Sequence, residues 1–327
     1  MAKYCKLPVL DTTLGAFGNT ERLVKLNESV RGKRVIIVGT GAGTGANAPA
    51  GGAAASATAS VNDNFMEMLL LCQGCRRADA SMVILVLAYF PYSRSDKQDN
   101  RGSIGAKLVT TMLEAVHVDK IISMDLHAGQ ITGFTDIPFS NLYAITPFCD
   151  YLQQCLLTDE SEKEKYILVA PDLGAAKRVK AYGERLRMRV VSMEKERDYS
   201  RPSTVAKCTI FGATEGLNGK IAIVIDDMVD TMGTMVENTR TLVEHGVKGV
   251  IVIATHGILS GPALDRIMQT DAIKSVLVTN TLPVVPHGKI TVVPVGNWIG
   301  EALRRIMDGE SVSAMFSGDL RSPRPLA

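Results

Sequence analysis

The chain has 327 residues, 46% of them hydrophobic, and its 36 Lys and Arg nearly balance 34 Asp and Glu, for a net charge of +2. That length predicts two domains with real cores, and so even a balance leaves no electrostatic footprint for nucleic acid or a charged membrane surface. No apolar run is long enough to span a bilayer, the opening MAKYCKLPVLD lacks the apolar core of a signal peptide, and six scattered cysteines suit a reduced, cytoplasmic protein.

Residues 1–16 are weakly patterned, and Phe17-Gly18-Asn19-Thr20-Glu21 taken alone reads as an ordinary strand end. Arg34–Val38 is a predicted strand. Gly41–Ser60 carries no charge and is almost entirely Gly, Ala, Ser and Thr, which predicts a flexible insertion. Gly41-x-Gly43-x-x-Ala46 loosely fits a dinucleotide fingerprint. Pro49, Gly51 and Gly52 break the helix such a site needs, and no Gly-Lys-Ser/Thr follows. An Asn or Asp within 62–64 is expected to cap a helix running to Arg77. Cys72 and Cys75 share one face of that helix, where free thiols behave as small inert hydrophobes. Strand Met82–Ala88 leads into the charged stretch Phe90–Arg101, read either as an active-site loop or as a solvated one. Helix Ser103–Val116 precedes strand Lys120–Met124. Asp125 and His127 then stand at a strand's carboxyl end, where parallel-sheet enzymes build sites. Helix Ile145–Leu157 and a charged link, Asp159–Lys165, close this half.

A second round of strands and helices follows. Strand Tyr166–Ala170 ends in Pro171-Asp172-Leu173-Gly174-Ala175, with a helix opening right after the glycine, a phosphate-binding arrangement. Strand Arg189–Met193 runs into the polar stretch Glu194–Pro202, which alone reads as a solvated hairpin before strand Lys207–Phe211. Ile221–Ile225 is a continuous β-branched and apolar run, a strand buried on both faces. Asp226 and Asp227 mark its end. Asp230-Thr231-Met232-Gly233-Thr234 then leads into a helix through Val236, Leu242 and Val243. Free N–H groups at that helix start suit a phosphate. The two carboxylates suit ribose hydroxyls or a magnesium ion carried by the substrate. A cap needs one Asp, not three. Val250–Thr255, Ser275–Val278 and Ile290–Val293 are further strands, and Thr255-His256-Gly257 echoes His127-Ala128-Gly129. The expected class is α/β, two related domains, each a mainly parallel sheet flanked by helices. Their bounds are 1–144 and 145–296, with a C-terminal helix in 297–327 packing back on the first.

Asp226-Asp227-Met228-x-Asp230-Thr231-x-Gly233-Thr234 resembles the PRPP-binding loop of the type I phosphoribosyltransferase-like fold. In this form it is similar to that of ribose-phosphate diphosphokinases, the PRPP synthetases, and matching motifs run from Phe17 to Phe316. The resemblance implies transfer of the diphosphoryl group of MgATP to the anomeric hydroxyl of ribose 5-phosphate, giving PRPP and AMP for nucleotide biosynthesis. It assigns catalysis to Lys195 and Arg197, and ATP binding to Phe17, Asn19, Glu21, Arg94, Asp96 and His127. It assigns the diphosphate to Asp172, Leu173, Gly174 and Ala175, and the ribose 5-phosphate to Asp226, Asp227 and Asp230–Thr234. Mg2+ is the implied cofactor, with His127, Asp172, Asp125 and Asp136 as its ligands. The adenine segment serves across a subunit boundary, so the implied assembly is a homo-oligomer, dimer-based and up to a hexamer, or a hetero-oligomer with paralogues. No nucleic acid or membrane partner is implied. The chain departs from the family pattern at Ser95 (Gln), Ser140 (Asp), Ala175 (Gly), the 41–60 insertion and a short N-terminus. Two alternatives stand beside the enzyme. A catalytically silent regulatory subunit should have lost Lys195-x-Arg197 or the acidic loop. A PRPP-using phosphoribosyltransferase would not need the Phe17 segment, His127 and Lys195 together.

Overall fold

The computed structural model describes residues 1–43, 59–195, 208–212 and 216–316. The chain divides into two compact units, Met1–Tyr143 with Thr281–Pro283 and Ile299–Leu303, and the remainder from Ala144.

The first unit contains α1 (Ala2–Cys5), β1 (Thr12–Ala16), β2 (Arg22–Leu26), β3 (Arg34–Gly39), α2 (Val61–Arg77), β4 (Met82–Leu87), α3 (Gly105–Ala115), β5 (Lys120–Met124) and β6 (Phe139–Leu142). Its main sheet runs β3-β4-β5-β6, all parallel. Val83–Leu87 are buried on both faces, which is why β4 is a continuous apolar run and not an alternating one. Helix α2 turns Phe65, Met68, Leu69, Cys72 and Cys75 into the core at helical spacing. Its cap is Ser60, at least two residues before the Asn and Asp expected. The Ser60 hydroxyl accepts from the Asp63 N–H and the Asp63 carboxylate accepts from the Ser60 N–H, a reciprocal box. Burial pushes the Cys72 thiol up to about 12 and raises Cys75 as well, so neither is a ready nucleophile.

Two stretches depart from the sequence reading. The weakly patterned N-terminus contains β1, which pairs antiparallel with β2 in a separate hairpin, Thr12 opposite Leu26 and Ala16 opposite Arg22. Phe17–Glu21 is therefore a hairpin tip. The Gly/Ala-rich insertion is built into the unit at both ends. The Gly41 N–H donates to the Tyr89 carbonyl at 2.8 Å, Ala42 and Ala59 are buried, and Asn64 donates to the Ala42 carbonyl. A Cβ on Gly41 would lie 2.3 Å from Pro91 Cδ, so that glycine is needed for close approach. Residues 44–58, the body of the expected flexible insertion, lie outside the described residues.

The second unit contains α4 (Ile145–Cys155), α5 (Glu160–Lys163), β7 (Tyr166–Ala170), α6 (Ala176–Leu186), β8 (Val190–Lys195), β9 (Cys208–Phe211), β10 (Ile221–Val229), α7 (Gly233–Glu244), β11 (Gly249–Gly257), α8 (Ala263–Gln269), β12 (Ile273–Thr279), β13 (Ile290–Val293) and α9 (Gly296–Asp308). The charged link proves to hold a helical turn, because the Asp159 side chain accepts from the Glu162 N–H at 2.9 Å and starts α5. The sheet order is β13-β12-β11-β10-β7-β8-β9, parallel except for the β8–β9 pair. The chain leaves β7 towards β8 on one side, then returns to β10 on the other. That reversal is a topological switch point, where the loops after β7 and β10 part and leave a crevice at the strands' carboxyl ends. Strand β10 runs four residues past Ile225, pairing through Val229 with Gly257 of β11, so Asp226 and Asp227 lie within the strand. His256 is likewise inside β11 and buried, whereas His127 is exposed beyond β5; Thr255-His256-Gly257 and His127-Ala128-Gly129 are not structural equivalents.

Helix α9 has residues in both units. Its Ile299–Leu303 segment groups with the first. There Tyr4 donates to Glu301 at 3.0 Å, the Cys5 thiol donates to the Gly300 carbonyl at 3.3 Å, and Gly300 leaves room for the Tyr4 ring.

Candidate active site

The switch point of the second unit gathers most of the residues singled out in the sequence. The β7 loop carries Asp172, Leu173 and Gly174 exposed and Ala175 buried. The Ala175 N–H donates to Asp172 Oδ1 at 2.9 Å, which fixes the turn into α6. Ala175 has φ −80 and ψ −12, ordinary right-handed backbone. Alanine in place of glycine is therefore accommodated without strain.

Beside it stand Asp226 and Asp227. The Asp227 N–H donates to Asp226 Oδ1 at 2.8 Å, and Arg178 Nη1 lies 3.6 Å from Asp226 and 3.7 Å from Asp227. Burial first, and then the Asp227 charge, push Asp226 well above the ordinary carboxylate range. Two carboxylates this close to one another suit a cation or hydroxyl donors from a ligand. Strand β10 then gives way to Asp230 and Thr231, and Met232 takes a left-handed φ of 64 with its side chain buried. A bulky residue in that region is held there by its surroundings. The first residues of α7 have no side-chain cap, so the Gly233 and Thr234 N–H groups point out of the helix start with the dipole behind them.

Three stitches hold these loops. Arg178 reaches from α6 to the acidic pair, Asn238 Nδ2 of α7 donates to the Pro171 carbonyl at 3.2 Å, and Arg266 Nη1 of α8 donates to the Thr231 carbonyl at 2.7 Å. None of the three is in the sequence-derived site. For Arg178 a signal existed, since it lies in the first turn of the helix that the Pro171–Ala175 loop opens. Asn238 and Arg266 are spaced as ordinary helix residues and become visible only when the elements pack.

Lys195 is the last residue of β8, paired with Cys208 of β9, so it ends an antiparallel ribbon instead of standing beyond the strand. Arg197 lies outside the described residues.

In the first unit, Phe17, Asn19 and Glu21 form the β1–β2 tip. The Phe17 N–H donates to the Glu21 carbonyl at 2.9 Å, and the Asn19 side chain accepts from the Glu21 N–H at 3.2 Å. Thr20 is left-handed with φ 72, and the Phe17 ring is 54% exposed. The loop after β4 carries Arg94 exposed and Asp96 half-buried, with Asp96 accepting from Gln130 at 2.7 Å. Ser95 has a structural use. Its hydroxyl donates to the Ser103 carbonyl and accepts from the Gly105 N–H at 2.9 Å, closing the loop onto the start of α3. Asp125 is buried and left-handed with φ 40, while His127 and Asp136 are exposed.

Among the described residues no three His, Cys, Asp or Glu side chains are grouped to hold an ion. Asp125 and His127 follow β5, Asp136 precedes β6, and Asp172 follows β7 with one oxygen committed to a backbone N–H. Three carboxylates and one imidazole are a sparse set, which fits Mg2+ that arrives on phosphates, because Mg2+ keeps few protein ligands and takes the rest from substrate and water.

Parallel sheets flanked by helices, with this switch-point site, define the type I phosphoribosyltransferase-like class. Residues 1–116 match the family model described as the N-terminal domain of ribose phosphate pyrophosphokinase, and residues 201–317 match that of the phosphoribosyl synthetase-associated domain; together they span well over half the chain. The crystal structure of phosphoribosylpyrophosphate synthetase from Mycobacterium smegmatis is similar at a TM-score of 0.80 and 29% identity, covering 94% of each chain. Purine phosphoribosyltransferase from Pyrococcus horikoshii Ot3 matches 46% of this chain and 85% of its own at 15% identity, with a TM-score of 0.25 that carries no weight. The chain belongs to the ribose-phosphate pyrophosphokinase, or PRPP synthetase, family, and its activity is that of the family, PRPP formation from ATP and ribose 5-phosphate. Among the described residues no helix is long and apolar enough to cross a membrane.

Proposed function

We propose that the second unit's switch point seats ribose 5-phosphate for attack on ATP, and that the first unit supplies the ATP contacts. One observation carries this reading: Asp226 and Asp227 lie beside an uncapped helix start, so hydroxyl acceptors and phosphate donors stand side by side. A ribose phosphate presents both chemistries. Asp226 and Asp227 accept from ribose hydroxyls, and the N–H groups of Met232, Gly233 and Thr234 hold the 5-phosphate. The loop Asp172–Ala175 lies next to the anomeric side and takes the diphosphate. Phe17 stacks on adenine, Asn19 and Glu21 read its edge, and Arg94, Asp96 and His127 hold the triphosphate.

The anomeric oxygen attacks the β-phosphorus, the bond from that phosphorus to the α,β-bridging oxygen breaks, and AMP leaves with the electron pair while the hydroxyl proton is lost. Such chemistry rests on alignment and charge neutralisation. Lys195 and Arg197 supply positive charge where it develops. Mg2+, when bound, neutralises phosphate charge and orients the oxygens; Asp172, His127, Asp125 and Asp136 are the side chains that would meet it, directly or through water.

The exposed Phe17 ring has a use if the tip serves a neighbouring copy, which makes the active form an oligomer. The free thiols of Cys5, Cys72, Cys75, Cys149 and Cys155 agree with a reducing, cytoplasmic setting.

The test is AMP release from ATP. It should require both ribose 5-phosphate and a divalent ion, and stop in excess chelator. Lys195→Ala should keep ATP binding and lose about a hundredfold in kcat, the scale of one lost electrostatic donor. Near-normal turnover in that variant would remove Lys195 from the chemistry. A wild-type chain that is silent yet activates another synthetase would favour the regulatory-subunit reading.

A further inference from the structure

We propose that Arg266 is a positioning residue for the ribose 5-phosphate loop, aiming the loop's N–H groups by holding the carbonyl on the other side of the same peptide plane. The inference rests on the reading of Asp230–Thr234 as that loop. Arg266 lies on α8, whose buried Ala263 and Ile267 face the core and fix the helix against the sheet. From that base its Nη1 donates to the Thr231 carbonyl at 2.7 Å. The same nitrogen is 3.3 Å from where a Cβ on Gly233 would stand, so the guanidinium crosses the turn closely and Gly233 leaves it room.

In a trans peptide the carbonyl and the following N–H point in opposite directions. No cis peptide occurs among the described residues, so a Thr231 carbonyl turned to Arg266 sends the Met232 N–H the other way. Met232 is then left-handed with φ 64, and Gly233 begins α7. Left-handed followed by right-handed backbone lines up successive N–H groups into an anion-binding concavity. The left-handed Met232 is strained backbone, and strain of this kind persists only where its surroundings over-determine it. The Arg266 bond is one restraint that does so. Met232, buried in the core, is the other. A charged donor to a backbone oxygen is among the stronger hydrogen bonds, and its planar fork loses little entropy in forming it.

The expected behaviour differs from that of a residue that merely supports the fold. Arg266 is half-buried at the surface of the unit and its loss opens no core cavity. Arg266→Ala lets the turn relax and so should melt close to the wild type, keep its KM for ATP, and raise KM for ribose 5-phosphate about tenfold, the cost of re-forming the strained turn on binding. Arg266→Lys keeps a donor of similar reach and should recover much of that loss. Calorimetric titration of ribose 5-phosphate alone into each protein reads the same effect without turnover. An unchanged ribose 5-phosphate affinity in an active Arg266→Ala protein would overturn the proposal alone. Both KM values rising together with a lower melting temperature, or a Lys variant no better than Ala, would also overturn it. A wild type that neither binds ribose 5-phosphate nor makes AMP would overturn the functional reading and this inference with it.

Discussion

Asp226 is the residue at which binding works against the stability of the empty protein. Its carboxyl is pushed up by burial and by Asp227, with Arg178 only partly offsetting them. A folded-state value above the unfolded one means that the native state binds the proton more tightly. The associated stability is full below the unfolded value and is lost as pH rises through the folded one. Above the unfolded value the wild type therefore gives up stability that a permanently neutral side chain would keep, and substrate hydroxyls or a cation at the carboxyl offset that loss. Asp226→Asn is expected to melt higher than wild type near neutral pH, with the gain vanishing as pH falls to ~4, where the wild-type carboxyl is itself neutral. The same variant should lose ribose 5-phosphate binding. Melting curves across pH check this, and a variant less stable than wild type at every pH would contradict the assignment of strain to Asp226.

At the scale of elements, the β1–β2 hairpin is fastened to the first unit by Leu26 packed against the core and by a buried ion pair. Arg22 of β2 meets Glu67 of α2, and their side chains are only 7% and 14% exposed. Arg22 directly follows Glu21, the last residue of the tip, so the pair fixes the tip's stem. Breaking a buried pair strands a desolvated charge and costs about 3 kcal/mol or more. Glu67→Ala should lower the melting temperature and raise KM for ATP several-fold, leaving KM for ribose 5-phosphate unchanged. Steady-state kinetics with each substrate varied separately would show it. Equal effects on the two substrates would detach the hairpin from ATP binding. The two α/β units differ here in kind. The second builds its site within a sheet switch point, whereas the first presents Phe17–Glu21 on an appended ribbon outside its main sheet.

For the whole molecule, the exposed ring of Phe17 decides the expectation. An aromatic 54% exposed at a hairpin tip, backed by an anchored stem, suits a partner surface. The chain is expected to sediment as at least a dimer when active. Phe17→Ala should raise KM for ATP more than that for ribose 5-phosphate, and dilution to monomer should abolish turnover. A fully active monomer in sedimentation under assay conditions would rule out a shared adenine site.

The sequence by itself determined the alternation of strands and helices, because parallel strands buried on both faces are written as short continuous apolar runs such as Val83–Leu87 and Ala222–Ile225. It determined the acidic pair and the phosphate-type helix start as well, since these are local: carboxylates, small residues and a helix N-terminus adjacent along the chain. Only the tertiary structure decided what depends on distant partners. Strand β10 runs on through Asp226 and Asp227 because β11 is there to pair with it as far as Gly257. Ser60 caps α2 instead of the later Asn and Asp because Asp63 folds back on it. β1 was illegible because a short ribbon outside the main sheet buries too little to leave a pattern. Asn238 and Arg266 were invisible as site residues for the same reason that they matter. Each sits on one helix and acts on another element, Pro171 or Thr231, and nothing in its own neighbourhood along the chain says which. Pairing, register and the reach of a side chain across a sheet are set by packing, which a periodicity read along one chain does not contain.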